Sequence, residues 1–515
     1  MRILFLTQSS SLSVFSGVAE RIGNIAPESS FAFYVADSLY YEKFISEHPA
    51  FEKKHSNCLY EWKILEKASG RSGDVSFLRK KEREFDNHTL WNSIIADRRL
   101  FLGARAVYCE DLKSRYKHEE LLSIVDTAIR ELESFISEFK PDIIVGFICV
   151  TVGEYITSLI AKRDGIKFVN LRPTRIGNYF YGAEDVHEPS EKLKEEYKSI
   201  LADDSDEKLF EKVRDYLEFV RKEHGMYEGV IPAKNAPKVS LSDTSGKGFL
   251  SKMAAAARMI RCQYSGKYLY DNHCPGLFGL TWFRRVVMPI RIDSINKALA
   301  NSYVTESELK TMDFVYYPLH KEPEITLLVY SNTYIDQIEV VRRIARNLPL
   351  GMNLLVKEHP ACFGYRPLKY YRDLLTVPNV RLVSPDFEGR ELIKRASITA
   401  IISGSSGFEA LILKKPVIAL GHVPFEFLPD SMIKKITNLE DLSKEILWLL
   451  DHHDHSEKAM EAYVAAVMNL SVPIDFYSRL LGRGNVYREP GGVSDDDKRG
   501  EHVDRLARYI KNMAC

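Results

Sequence analysis

Long apolar runs are missing from this chain. The longest, around Ile143 to Gly153, is interrupted by Glu154 and falls short of the roughly 20 residues a membrane span needs. The opening MRILFLTQSSSLSVFSG has one basic residue and a brief apolar run, too short for a signal-peptide core. An excess of one charge is also missing. Lys plus Arg and Asp plus Glu each total 71, which leaves no overall basic field for nucleic acid or an anionic membrane. Cysteines are few, seven in 515 residues, and none stands in CxxC spacing. A disulfide framework or paired-thiolate zinc site is therefore not indicated, and a reducing compartment fits. The dinucleotide glycine fingerprint is absent, so no redox cofactor is implied. No DxD pair stands out, so the chemistry is expected to run without a metal or other cofactor. The expectation is a soluble, cytosolic protein with at most peripheral contact at the inner face of a membrane.

What is present is a chain long enough for two cores, with strand and helix patterns that alternate. Apolar runs at Arg2 to Thr7, Phe31 to Ala36, Ile143 to Val150 and Lys167 to Leu171 read as strands. Between them, Leu121 to Phe139 repeats apolar residues at helical spacing until Lys140-Pro141-Asp142 stops it. The βαβ alternation predicts an α/β fold. Ser9 to Ser13 and Gly17 read as a polar loop after the first strand. Glu154 follows the strand beginning at Ile143, where a carboxylate can act as general acid or base; equally, a glutamate at a helix start complements the helix dipole. Arg172 and Arg175 lie in LRPTRIGNYF, where a guanidinium suits a phosphate or a carboxylate. Residues 186–226 are charge-rich and periodic, suggesting two solvent-facing helices joined at Asp203-Asp204-Ser205-Asp206. The polar stretch Pro232 to Lys247 reads as a loop, and FGLTWFRRV at 278–286 as a packing surface between domains.

The second half carries the densest chemistry. Phe314 to Tyr317 reads as a strand leading into His320-Lys321-Glu322-Pro323-Glu324, and Leu354 to Val356 as a strand leading into Lys357-Glu358-His359-Pro360. A third strand, Ile398 to Ile402, runs into Ser403-Gly404-Ser405-Ser406-Gly407, with Phe408-Glu409 opening a helix. Ligands of open α/β sheets bind at the carboxyl ends of strands. Glycines admit close backbone approach, and helix N-terminal N–H groups with serine hydroxyls suit phosphate oxygens. Lys357 and Arg366 add cationic side chains after the Leu354 to Val356 strand. Asp451-His452-His453-Asp454-His455 reads as a solvated turn rather than a metal site.

The series Tyr317 to Glu324, Thr326, Asp336-Gln337 and Val356 to Pro360 resembles the capsule polysaccharide biosynthesis family, which includes bacterial Kdo transferases. Asp97-Arg98 and Thr174 to Gly177 are weaker echoes. The resemblance implies two Rossmann-like domains facing a cleft (GT-B-like), with boundaries expected at 1–305, 306–480 and a helical tail 481–515, and a helical insertion at about 186–300. It implies a glycosyltransferase using a nucleotide-activated sugar, with CMP-Kdo one candidate donor and a polysaccharide or lipid-linked acceptor. On that basis His359 and Pro360 would contact base or ribose. Ser405 and Ser406 would hold phosphate, Ser403 and Gly407 would belong to the same donor site, Glu409 would take the ribose hydroxyls, and Lys357 and Arg366 would add positive charge near the leaving nucleotide phosphate. Arg175 and Glu324 would contact substrate, and Glu154 and His320 stand as catalytic candidates. Two alternatives remain open, a non-hydrolysing nucleotide-sugar epimerase and a noncatalytic scaffold of polysaccharide assembly.

Overall fold

The computed structural model describes residues 1–101, 114, 116–187, 189–203, 206–222, 225–228, 257, 266, 268–273, 283–322, 324–483 and 499–514. The expected loop at Pro232 to Lys247 and most of FGLTWFRRV lie outside them.

The first sheet grows from β1 (Arg2–Thr7), β2 (Ser30–Val35), β3 (Cys58–Tyr60), β4 (Ile143–Phe147) and β5 (Lys167–Pro173). These pair in parallel in the order β3-β2-β1-β4-β5. β6 (Tyr179–Ala183) then adds to β5, and β13 (Ser471–Pro473) to β6, both antiparallel. In the second sheet, β7 (Phe314–Pro318), β8 (Asn353–Lys357), β9 (Val380–Val383), β10 (Ile398–Ile401), β11 (Val417–Ala419) and β12 (Ile433–Lys435) are all parallel, in the order β12-β11-β10-β7-β8-β9. Each sheet therefore has the doubly wound order in which strands depart in opposite directions from the first, and the fold is α/β with two Rossmann-like sheets. Continuous burial of β1, β4 and β8 explains why these strands read as unbroken apolar runs, since parallel sheets are covered on both faces.

Helices supply that cover. α1 (Ser11–Ile25) and the C-terminal helix α11 (Arg499–Ala514) share one face of the first sheet. α2 (His118–Phe139) and α3 (Val152–Asp164) take the other. α1 begins at Ser11, so Ser11 to Ser13 and Gly17 are helical rather than part of a loop. α4 (Glu191–Ala202) and α5 (Glu207–Lys222) bury Tyr197, Phe210, Val213 and Leu217 in a cluster with Phe408, Phe425 and Tyr463. They thus pack on the second sheet's helices and bridge the two halves. α6 (Gln337–Arg346), α7 (Gly389–Arg395), α8 (Ser405–Ile412), α9 (Leu442–His452) and α10 (Glu457–Leu470) complete the second layer. After α10 the chain returns to the first sheet through β13, before the boundary expected at 480. No helix among the described residues is long and apolar enough to cross a membrane.

Candidate active site in the cleft between the sheets

A doubly wound sheet opens a crevice where its two middle strands send their connections to opposite faces. In the second sheet these strands are β7 and β10. The loop after β7 carries His320 and the loop after β10 carries Ser403, and Ser403 N donates to His320 Nε2 at 3.1 Å. In the first sheet they are β1 and β4, where Gln8 Nε2 reaches Ile148 O at 3.4 Å. Ile148 holds a left-handed φ of 48°, a conformation that a β-branched residue adopts only when its surroundings impose it.

The two crevices face each other across one pocket of about 1170 Å³, counting its open mouth. From the first half come Ile148, Arg172, Thr174, Arg175 and Tyr227; from the second come His320, Lys321, Glu324, Tyr330, His359, Ser403 to Ser406 and His422. Several sequence candidates thus meet here: Arg175, His320, Glu324, His359, Ser403, Ser405 and Ser406.

Arg175 sits at the tip of the β5–β6 hairpin, where Thr174 Oγ1 accepts from Ile176 N and donates to Tyr179 O. Its backbone is left-handed, φ 65°, and its guanidinium lies 4.9 Å from the Tyr227 ring centroid. Burial opposes its charge, but Tyr227, Tyr477 and Glu324 outweigh that and hold its pKa above the ordinary value. Across the pocket, α8 starts at Ser405 with Gly404 at its N-cap. First-turn N–H groups lack intrahelical partners and present the positive end of the helix dipole. A Cβ on Gly404 would stand 3.0 Å from His320 Nε2, so the glycine lets the turn close on the imidazole. Burial, with Arg366 and His359 nearby, pushes His320 down to about 3. The ring is neutral, and its Nε2 serves as an acceptor. Glu324 is the sole carboxylate on the wall among the described residues, and it accepts from Thr326 Oγ1 at 3.4 Å.

Other candidates lie elsewhere. Glu154 is fully buried at the third position of α3, where its Oε2 accepts from Val150 N at 2.8 Å and Thr151 N at 2.9 Å while Thr151 Oγ1 receives Glu154 N. It is half of a capping box and not on the pocket wall. Burial pushes it up to about 8 against those backbone donors. Lys357 is turned beneath the loop, donating to Pro385 O at 3.0 Å, and burial lowers it to about 8. Arg366 is completely buried, paired with Glu358 and with Glu322 at 3.3 Å, and its Nη2 donates to His320 O at 2.7 Å. Neither is placed to face a leaving phosphate. Glu409, one turn inside α8, takes Arg390 Nη1 at 3.1 Å and is absent from the pocket wall, as is Pro360. Gly407 serves packing, since a Cβ there would meet Ile401 Cδ1 at 2.3 Å.

Asp97 caps α3 from outside, accepting Val152 N at 3.1 Å. Burial lowers Arg98 to about 10, an effect that Asp97 and Glu324 oppose. In the Asp451 to His455 cluster, His453 contacts the carbonyls of Ser431 and Lys414, and His455 contacts Glu457.

Tyr227, Tyr330 and His422 line the pocket without having been read from the sequence, whereas Lys321 lies in the polar loop that was. His422 had a signal, because it follows β11 at the same sheet edge. Tyr227 and Tyr330 had none, since each reaches the pocket through tertiary packing.

Residues 297–429 match the family model described as capsule polysaccharide biosynthesis protein, so the resemblance read from the series between Tyr317 and Pro360 is borne out over that segment. No curated protein matches the chain. Among solved structures, the beta Kdo 2,7 transferase of Thermosulfurimonas dismutans KpsC aligns at 11% identity and TM-score 0.35, covering 75% of this chain and 89% of that one. The beta Kdo 2,4 transferase of the same protein aligns at 11% and 0.34, covering 63% and 79%. S. aureus MnaA with UDP aligns at 12% and 0.26, covering 99% and 97%. At such values these are likenesses only, and the fold rests on the strand orders described above.

Proposed function

We propose that the protein is a glycosyltransferase of capsule polysaccharide biosynthesis that holds a nucleotide-activated sugar across the cleft. The observation that carries this reading is the convergence of Arg175, from the first half, with the Ser403 to Ser406 turn of α8, from the second, on one pocket. Part of that pocket lies within the segment the capsule family model matches. A guanidinium facing a helix N-terminus suits a phosphate, because both supply charge or N–H donors to anionic oxygens.

In this reading the anomeric carbon–oxygen bond to phosphate breaks and its electron pair departs with the nucleotide. Arg175 and the α8 amides stabilise that charge as it develops, without a metal in the step. The acceptor hydroxyl forms the new glycosidic bond and gives its proton to Glu324. His359 faces the nucleoside end. CMP-Kdo is the donor put forward first, and a surface polysaccharide or lipid-linked glycan the acceptor class.

The test is incubation with CMP-, UDP- and GDP-sugars, with and without acceptor, followed by product analysis. Sugar transfer that depends on acceptor supports the proposal. Conversion of the donor to an epimer without acceptor would replace it with epimerase chemistry.

A further inference from the structure

The loops that build the second half of the cleft are tied together by a side chain outside the pocket, Gln337. It is the first residue of α6, whose N-cap Asp336 accepts from Ile338 N and Glu339 N. With the helix start secured, the Gln337 side chain is turned inward and is 1% exposed. Its Oε1 accepts from His320 N at 2.7 Å and from Tyr317 OH at 3.4 Å. Its Nε2 donates to His320 O at 3.1 Å and to Glu322 Oε1. A carboxamide has two N–H donors and an oxygen with two lone pairs, and here all four are engaged.

The consequence reaches the pocket through His320. Gln337 holds both main-chain groups of that residue, and Arg366 adds a second donor to its carbonyl. The imidazole then accepts from Ser403 N. Ser403 Oγ meets Ser331 Oγ, and Ser331 Oγ receives His422 N at 3.1 Å. One chain of hydrogen bonds thus joins the loops after β7, β10 and β11 and the segment before α6. Gly421 leaves room for it, since a Cβ there would stand 1.9 Å from Ser331 Oγ and 2.7 Å from Ser403 Oγ.

We infer that Gln337 is a positioning residue of the cleft: by fixing the His320 main chain it aims Nε2 at Ser403 N and so sets the Ser403 to Ser406 turn for its ligand. No other side chain of this size does the same. Glutamate has no proton for the His320 carbonyl or Glu322, and methionine engages none of the four groups. The inference rests on the proposed role of the cleft, but one of its readouts is independent of ligand.

That readout is the histidine tautomer. Accepting from Ser403 N requires His320 to carry its proton on Nδ1, which nitrogen-15 correlation spectra of labelled protein report, with the His320 signal assigned from a His320→Gln sample. Wild type is expected to show a single Nδ1–H form. Folded Gln337→Met and Gln337→Glu are expected to show mixed tautomers and about tenfold weaker nucleotide binding, measured with the best of CMP, UDP, GDP and CDP. A mixed or Nε2–H tautomer in wild type overturns the inference even if both variants fail to fold. So does a folded variant that keeps both the wild-type tautomer and wild-type binding. If no nucleotide binds wild type while the tautomer responds as expected, the proposed function fails and the positioning of His320 by Gln337 stands.

Discussion

Glu154 and Glu324 show how two carboxylates separate by environment. Glu154 is sealed at the α3 N-terminus, raised to about 8 by burial. A carboxyl raised in the fold contributes stability that is fully present below its unfolded value near 4.5 and is lost as pH rises through about 8. Glu154→Gln is therefore expected to gain thermal stability relative to wild type between pH 5 and pH 8, with turnover retained; thermal melts across that range check it. A constant difference would refute the assigned burial effect. Glu324→Gln is expected to keep nucleotide binding and lose turnover by about 10²-fold or more, measured as kcat at saturating donor. Arg366 behaves as a structural cation. Because it is buried against Glu358 and Glu322, Arg366→Ala is expected to cost about 3–5 kcal/mol in denaturant unfolding. Unchanged stability with selective loss of nucleotide binding would return it to the pocket.

At the scale of elements, the α8 helix owes its position to Gly407. Gly407→Ala would drive a methyl group into Ile401 and lift the helix from β10, with an expected cost of about 1–3 kcal/mol and weaker nucleotide binding; unfolding curves and binding titrations read both. The elements themselves were unevenly legible. β1, β4, β8 and β10 show as apolar runs because parallel strands are buried on both faces. β3 and β13 have three residues each, and β13 contains a proline, so their pairing is decided by the sheet edge they meet. The polar run after β8 was visible but its directions were not. Lys357 Nζ donates to Pro385 O and Glu358 Oε2 accepts from Tyr371 OH, so both side chains are held beneath the loop while His359 reaches the cleft. The capping role of Glu154 was written in Thr151-Val152-Gly153-Glu154, a capping-box spacing, and its position after a strand also suited a catalytic reading.

For the whole molecule, the two halves are joined by more than the connecting chain. Arg390 on α7 donates to the carbonyls of Val220 and Arg221 at the end of α5, and Arg221 Nε donates to Ile412 O at the end of α8. The helices α4 and α5 thus hold the cleft walls in register, and the pocket belongs to both halves. The most direct test of that claim is thermal stabilisation by CMP, UDP, GDP and CDP in wild type, Arg175→Ala and the double variant Ser405→Ala/Ser406→Ala, since a ligand bound only by the folded state raises Tm. The expected result is stabilisation of wild type by one nucleotide, CMP foremost, and its loss in both variants although they alter opposite sides of the cleft. Stabilisation that survives Arg175→Ala, or no response of wild type to any nucleotide, would contradict a phosphate site shared between the two halves.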